Sequence, residues 1–288
     1  PLPEAKENGD GRERRKRLLL EGVFRVDGIS ALRPRTPMVT ASDLHIHSAL
    51  SPCGSLEMSP SAIVAEAKRR GLQAIAVTDH NSVENALIAR RVGERLGVKV
   101  FCGMEAQSVE EVHLLVLFED PEEARLFWEE VYPSLPEIPN NPEYFGDQVV
   151  VDEEENILRF EEKLLLNSLT LSLGEIVEIG RRRRGWVVPA HVESDRFGLL
   201  VQLGFIPPEL EEGVLELSRW GWSHEGEVFK TFPDLVGRRL VAHSDAHYLR
   251  DIGRGRTLYE VPDLSLASLQ KAGREGSFRV QLWEGAVE

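Results

Sequence analysis

From Val39 onward, short apolar runs rich in β-branched residues alternate with amphipathic runs of helical period, and no other feature of the chain constrains its fold as tightly. Strand-like runs fall at 39–46, 73–78, 98–103, 112–118, 186–190, 213–217, 239–243 and 278–282, and helix-like runs at 60–70, 82–95, 121–132, 173–184, 207–211 and 264–273. Such alternation predicts a parallel sheet covered by helices. Closed into a barrel, that sheet would carry its functional side chains at the C-terminal ends of its strands. Local signals agree: Ser59 and Pro60 make a helix entry, an N-cap followed by proline at the first helical position, and Gly71 ends the same helix. Between about 133 and 170 the alternation breaks, because Pro133, Pro136, Pro139 and Pro142 exclude a long helix. The segment from Phe145 to Glu155 reads as a hairpin there, and 133–170 is assigned as an insertion at the barrel rim, where lids and substrate loops sit. Residues 1–37, polar through Arg17 and Pro-rich at 33–37, read as a partly disordered N-terminal extension, and 38–288 as the barrel domain.

At 288 residues and 42% hydrophobic, the chain can bury one large core. A formal net charge of -14 argues against broad electrostatic affinity for nucleic acid or anionic membrane, so duplex nucleic acid is not expected as a partner. A nucleotide substrate stays open, since bound cations reverse the field that a phosphate feels. Cys53 and Cys102 are too few for a disulfide framework. With no leader-like segment in view, a cytoplasmic location is expected. No apolar run reaches the roughly 18 residues needed to cross a bilayer, so a soluble protein with no membrane partner is expected.

The chemistry sits in the histidines. Six of the eight lie in short strings with acids or at strand ends: Asp43-Leu-His45-Ile-His47, Thr78-Asp79-His80, Glu111-Val-His113, Pro189-Ala-His191 and Ser244-Asp245-Ala-His247, joined by Gly103-Met-Glu105. Imidazole and carboxylate together are what zinc, iron and manganese prefer. Nothing in helix or strand packing calls for these residues at strand ends, so a multinuclear metal site and metal-assisted hydrolysis are the first expectation. His45 and His47 are two apart on a strand and share a face, with Asp43 on it too. Glu105 is the natural bridging ligand, because a carboxylate can span two cations and a neutral imidazole cannot.

Other residues read differently. His243 is deeper in its strand and reads as a hydrogen-bonded core residue, His224 as a loop residue, and Cys102 as core. Cys53, after Ser51-Pro52, is either a small buried side chain or a thiolate ligand. Arg181 to Arg184 end a helix, where cations complement the dipole. Arg196, Arg254 and Arg256 follow the metal strings closely and are the candidates for holding a phosphate.

In order and spacing, Asp-Leu-His45-Ile-His47-Ser, Ala-Val-Thr-Asp79-His80-Asn, Gly-Met-Glu105, Ala-His191 and Ser-Asp245-Ala-His247 resemble the motifs of the polymerase-and-histidinol-phosphatase (PHP) family, over about residues 40 to 260. The resemblance implies an α/β fold, a distorted (β/α)7 barrel with a trinuclear metal centre at the strand ends. By motif, it implies one metal on His45, His47, Glu105 and Asp245, a second group of Glu105, His113 and His191, and a third including His80 and His247. Some relatives have a further histidine six residues after the second histidine of the first motif; here Cys53 stands in that place.

The implied activity is hydrolysis of a phosphate ester, a small phosphomonoester or short nucleotide, by a hydroxide bridging two or three zinc, manganese or iron ions. His80 or His247 would be possible proton donors to the leaving group. Two alternatives belong to other classes. A non-catalytic, metal-stabilised interaction module would tolerate an incomplete ligand set, and the set here is near complete. An amidohydrolase-like C–N hydrolase usually relies on a bridging lysine, whereas Lys99 begins its strand rather than ending it.

Overall fold

The computed structural model describes residues 37–282. The N-terminal extension expected at 1–37 therefore lies outside the described residues, apart from Pro37. Strand β1 (Met38–Ile46) lies centrally in a seven-stranded sheet that also contains β2 (Ala74–Val77), β3 (Lys99–Gln107), β4 (His113–Phe118), β7 (Trp186–Pro189), β10 (Gly255–Val261) and β11 (Phe278–Leu282). Their spatial order is β11-β10-β1-β2-β3-β4-β7. Two further pairs stand apart: β5 (Val149–Val151) with β6 (Ile157–Phe160), and β8 (Val214–Glu216) with β9 (Arg239–Val241).

The sheet curls towards closure through single contacts at its upper edge. Val192 N–H donates to Glu216 O at 2.9 Å, linking the end of β7 to β8. His47 N–H donates to Ala246 O at 2.9 Å, linking the segment after β9 back to β1. The result is a distorted barrel of the expected class. Its sheet is not wholly parallel, however. β1, β2 and β3 run parallel, but β4 is antiparallel to β3 and β7 to β4, and β10 is antiparallel to both β1 and β11. For β4 the reason is length: only residues 108–112 separate it from β3, far short of the dozen or more that a parallel crossover needs. β10 is absent from the expected strands, and the helix expected at 207–211 is a single 3-10 turn, Pro208–Leu210, behind Pro207.

Period-two alternation sorts the core into two layers. On β2, Ala74 and Ala76 face an inner cluster with Leu44, Phe101 and Leu115, while Ile75 and Val77 face an outer cluster beneath the helices. The helices over that layer are capped as their sequence dictates. Ser59 Oγ accepts from Ala62 N at Pro60–Arg69, Asp120 accepts from Glu122 N at Pro121–Val131, and Ser172 and Glu175 form a reciprocal capping box at Leu173–Arg182. Within 133–170, the β5–β6 hairpin is tied to the barrel by Asn85, whose amide donates to Val149 O and accepts from Val151 N–H. No helix among the described residues is long and apolar enough to cross a membrane.

Candidate metal centre

The upper edge of the sheet gathers the histidines. On β1 the pairing register with β2 slips between Asp43 and Ile46, a local irregularity of the kind that re-aims side chains beside sites. His45 and His47 emerge from it fully buried. Glu105 is on β3 and His80 follows β2, joined by a parallel bridge. His113 is the first residue of β4, not the last. Because β4 runs antiparallel to β3, that first residue lies at the same edge as the C-terminal ends of β1, β2 and β3. His191 follows β7 and Asp245 follows β9, at φ +30° and +50°, left-handed conformations that non-glycine residues adopt at a cost.

Glu105 is the hub. Its Oε1 lies 2.9 Å from His113 Nδ1 and 3.2 Å from both His45 Nε2 and His191 Nε2. Its Oε2 lies 3.0 Å from His80 Nδ1 and 3.3 Å from His47 Nε2. Burial opposes its charge, but His113, His45 and His80 outweigh that and hold the carboxyl well below the usual carboxylate range. Asp245 is likewise held low, against burial, by His45, His47 and His247. His113 and His247 are pushed down to about 4, chiefly by burial, so both rings are neutral near pH 7 with lone pairs free for coordination.

The donor spacing fits a metal. Four donors at roughly 2.0–2.1 Å from a zinc ion stand about 3.3–3.4 Å apart in tetrahedral geometry. His45 Nε2 and His47 Nε2 are 3.2 Å apart, each is 3.2–3.3 Å from Glu105, and Asp245 Oδ1 is 3.4 and 3.2 Å from them. Among the described residues, three groups have donor atoms close enough to hold an ion: His45, His47 and Glu105; His80, Glu105 and His113; and His47, His80 and His247. His80 thus adjoins two groups. The third forms without the Cys53 thiol, which lines the cavity above and is pushed up by burial and by the nearby Glu105 and Asp245 carboxylates.

A second layer, largely missed in the sequence, orients these candidate ligands. Glu216, fully buried at the end of β8, places Oε1 3.1 Å from His45 Nδ1 and Oε2 3.1 Å from His243 Nδ1. Against burial, the two histidines hold its carboxyl down at about 2. The only signal was an acid flanked by leucines in Val-Leu-Glu-Leu, a pattern that reads equally well as an exposed strand position. Asp79 accepts from Ser48 N–H and from the Ser48 and Ser51 hydroxyls, and Ser51 Oγ is 3.0 Å from His47 Nδ1. Asp43 turns away from the centre and accepts from Ser244 N–H and Gly253 N–H. Glu216→Gln is expected to lower metal affinity by roughly 10- to 100-fold while the protein still folds, because a ligand imidazole loses the carboxylate that fixes its tautomer. Competition with a chromophoric chelator measures this, and unchanged affinity would reduce Glu216 to a packing residue.

A cavity of about 650 Å³ opens over the cluster, lined by His80, His191, His247 and Asp245 on one side and by Phe145, Leu166 and Phe197 on another. Phe197 stacks on His113 at 4.4 Å with the rings 7° from parallel. Of the three arginines expected near phosphate, Arg196 lines this cavity. Arg254 instead pairs with Asp251 at 3.1 Å, and Arg256 donates to Arg70 O, so both are engaged away from it. As expected, His243 is a buried, hydrogen-bonded residue, and His224 is exposed, stacked on Trp220.

An α/β barrel with a histidine–carboxylate cluster at its strand ends is the architecture of a metal-centred domain. The PHP domain model matches residues 43–187, just over half of the 288-residue chain, and the PHP-associated model matches 232–278. The chain belongs to the PHP family. Among curated relatives, a phosphoribosyl 1,2-cyclic phosphate 1,2-diphosphodiesterase of Eggerthella lenta is 36% identical over 80 residues, 26% of this chain and 29% of that protein. A PolC-type DNA polymerase III of Oceanobacillus iheyensis is 39% identical over 69 residues, 24% of this chain and 5% of the polymerase. The chain thus spans under a third of either relative. Among solved structures, the lesion-specific endonuclease PfuEndoQ from Pyrococcus furiosus superposes with a TM-score of 0.61 at 22% identity, covering 84% of this chain and 58% of that one.

The expectation that set duplex nucleic acid aside does not survive these comparisons. Endonuclease Q, with a TM-score of 0.61 and 21% identity over 85% of this chain and 58% of its own, has been solved with a 27-mer duplex whose abasic lesion lies at the active site. This fold takes a duplex in that protein. Net charge sums over a whole surface, whereas a nucleic acid meets only the local field and shape of one face.

Proposed function

We propose that this chain is a metal-dependent hydrolase of phosphate esters, with two or three divalent ions (zinc, manganese or iron) on His45, His47, His80, Glu105, His113, His191, Asp245 and His247. The observation that carries the reading is the Glu105 carboxylate, within 2.9–3.3 Å of nitrogens from five histidines on four segments of the fold. So many imidazoles around one buried anion make poor packing but a complete ligand set. Bound divalent ions supply Lewis acidity towards the phosphoryl group and acidify water at neutral pH.

The chain's own residues do the rest. Glu105 and Asp245 stay ionised and hold the cluster together. Arg196, at the cavity wall, meets the oxygens of the scissile phosphate. His80 is held below the usual imidazole range and His247 at about 4, which suits both better to ligation than to donating a proton from the resting state. Phe145, Leu166 and Phe197 shield one side from water and give the organic part of the ester an apolar wall. A cavity of about 650 Å³ exceeds what inorganic phosphate needs, which favours an ester with a nucleotide-sized organic group.

The test is metal analysis with an activity panel. Protein purified without chelators is expected to carry at least two transition-metal ions per chain. It is expected to hydrolyse some member of a set of phosphomonoesters, cyclic phosphodiesters and oligonucleotides, losing that activity in a chelator and regaining it with metal. Fewer than one ion per chain, or hydrolysis indifferent to chelation, would sink the proposal.

A further inference from the structure

His113 is held by groups that the metal cluster leaves unexplained. Phe197 stacks on its ring and fixes the ring's plane, but not which edge of the ring turns towards Glu105. That choice falls to the neighbouring strand. Gln107, buried at the end of β3, stands opposite His113 in the β3–β4 ladder, so the two side chains share one face of the sheet. Gln107 Oε1 lies 3.1 Å from His113 Nε2, while Glu105 Oε1 lies 2.9 Å from Nδ1 of the same ring. The amide's own orientation is set from its other end, where Nε2 donates to Ser168 Oγ at 2.8 Å and leaves Oε1 facing the ring. An amide oxygen only accepts, so His113 Nε2 carries the ring proton and Nδ1 the lone pair. Nδ1 is buried without a hydrogen-bond partner, and it faces an ionised carboxylate; two such acceptors side by side suit a shared cation.

Ser168 belongs to the stretch 133–170, and it does not act alone. Leu169 N–H donates to Gln107 O at 2.8 Å, and Gln107 N–H donates to Asn81 Oδ1 at 3.1 Å. Asn81, the residue after His80, donates in turn to Leu165 O and Asn167 O, each at 2.9 Å. Residues 165–169 are thus fastened to Asn81 and Gln107, one beside His80 in the chain and the other against His113 in space.

From this arrangement we propose that Gln107 is a positioning residue that fixes His113 in the tautomer able to ligate through Nδ1, and that residues 165–169 hold Gln107 to that task. The group behind a ligand imidazole sets its tautomer, its orientation and its basicity, and metal affinity follows. A stretch that supplies none of the proposed ligands thereby becomes part of the support of the metal centre. Leu166, within the same fastened stretch, lines the cavity, so the wall that meets an ester and the ring that meets a metal are braced by one set of hydrogen bonds.

This inference rests on the cluster holding metal, and its test separates the two. Cobalt(II) is titrated into the metal-free full chain against a chromophoric chelator, with the visible absorption of the bound ion recorded and folding checked by circular dichroism. Gln107→Met keeps the length of the side chain and removes the acceptor. It is expected to weaken the ion beside His113 by roughly 10- to 100-fold and to alter the cobalt spectrum. Gln107→Glu restores an acceptor and is expected to bind at least as tightly as Gln107 does, with the wild-type spectrum. Ser168→Ala keeps the amide but frees its orientation, for a loss of roughly 2- to 10-fold. A merely structural role for Gln107 would not separate glutamate from methionine in this way. Wild-type affinity in Gln107→Met, or equal weakness of the methionine and glutamate variants, would overturn the inference, and wild-type affinity in Ser168→Ala would overturn the part given to residues 165–169. Cobalt bound at two or more sites in the wild-type chain would leave the metal centre standing in each of those events, whereas a wild-type chain that binds none would sink both.

Discussion

Glu105→Gln protein is expected to be purified with at least one metal ion per chain fewer than wild type, while His224→Ala protein keeps its full content. The amide has the shape of the carboxylate but no charge, and one of its two ends donates hydrogen bonds instead of accepting them. Five histidine nitrogens within 3.3 Å then face a neutral group, and two ligand clusters lose their shared anion. The loss of affinity should exceed the roughly 10- to 100-fold that follows removal of an outer partner such as Glu216. His224 is exposed and its Nδ1 lies 2.9 Å from Trp220 O, so its removal cannot reach the cluster. Elemental analysis of both proteins, with circular dichroism to confirm folding, decides the matter. Equal metal content in Glu105→Gln and wild type would show that the cluster holds its ions without the hub.

Much of this centre was legible because its residues cannot be explained as packing. His45, His47, Glu105 and Asp245 interrupt apolar strands at their ends, where a core would gain nothing from them, and the family's motif order placed them together. His113 was among the expected ligands, but the route by which it arrives, like what escaped altogether, is set by tertiary pairing. His113 belongs to the site only because a five-residue link, 108–112, turns β4 antiparallel to β3, so that the start of one strand meets the end of another. Sequence alternation signals a strand but carries no direction. β10 was missed because its arginine, threonine, tyrosine and glutamate alternate with few apolar residues; it is recruited by pairing with β1 and β11. Glu216 has the local pattern of a surface acid, and only the approach of β8 to β1 buries it against His45. Arg254 and Arg256 show how far nearness in sequence can differ from nearness in space. Proximity in sequence to His247 suggested a phosphate contact, but the chain turns through Gly253, at φ +73°, and carries both onto β10 or its approach. Net charge erred for a related reason, since it averages over faces that a partner never touches at once.

The second large effect is on turnover. Asp245→Ala and His191→Ala are each expected to lower the hydrolysis of a phosphate ester by roughly 10²-fold or more, as when a group that places the metal ions is lost. The two residues meet different members of the cluster. Asp245 Oδ1 contacts His45 on β1 and His47 just after it, at 3.4 and 3.2 Å, while His191 Nε2 contacts Glu105 Oε1 at 3.2 Å. They therefore serve different groups of ligands around the same hub, and the pair should distinguish a cluster that acts as one unit from ions that act separately. In a unit, the double variant costs little more than either single one, the non-additivity expected of groups that share one chemical task. Independent ions would give losses that multiply, towards 10⁴-fold in the double variant. Both residues sit at positive φ, so alanine there also relieves or shifts backbone strain, and the asparagine variants serve as controls that tolerate the same conformation. Steady-state kinetics at saturating metal, on folded protein, reads the outcome. Rates within a few-fold of wild type in both single variants would mean that the hydrolysis arises somewhere other than this cluster.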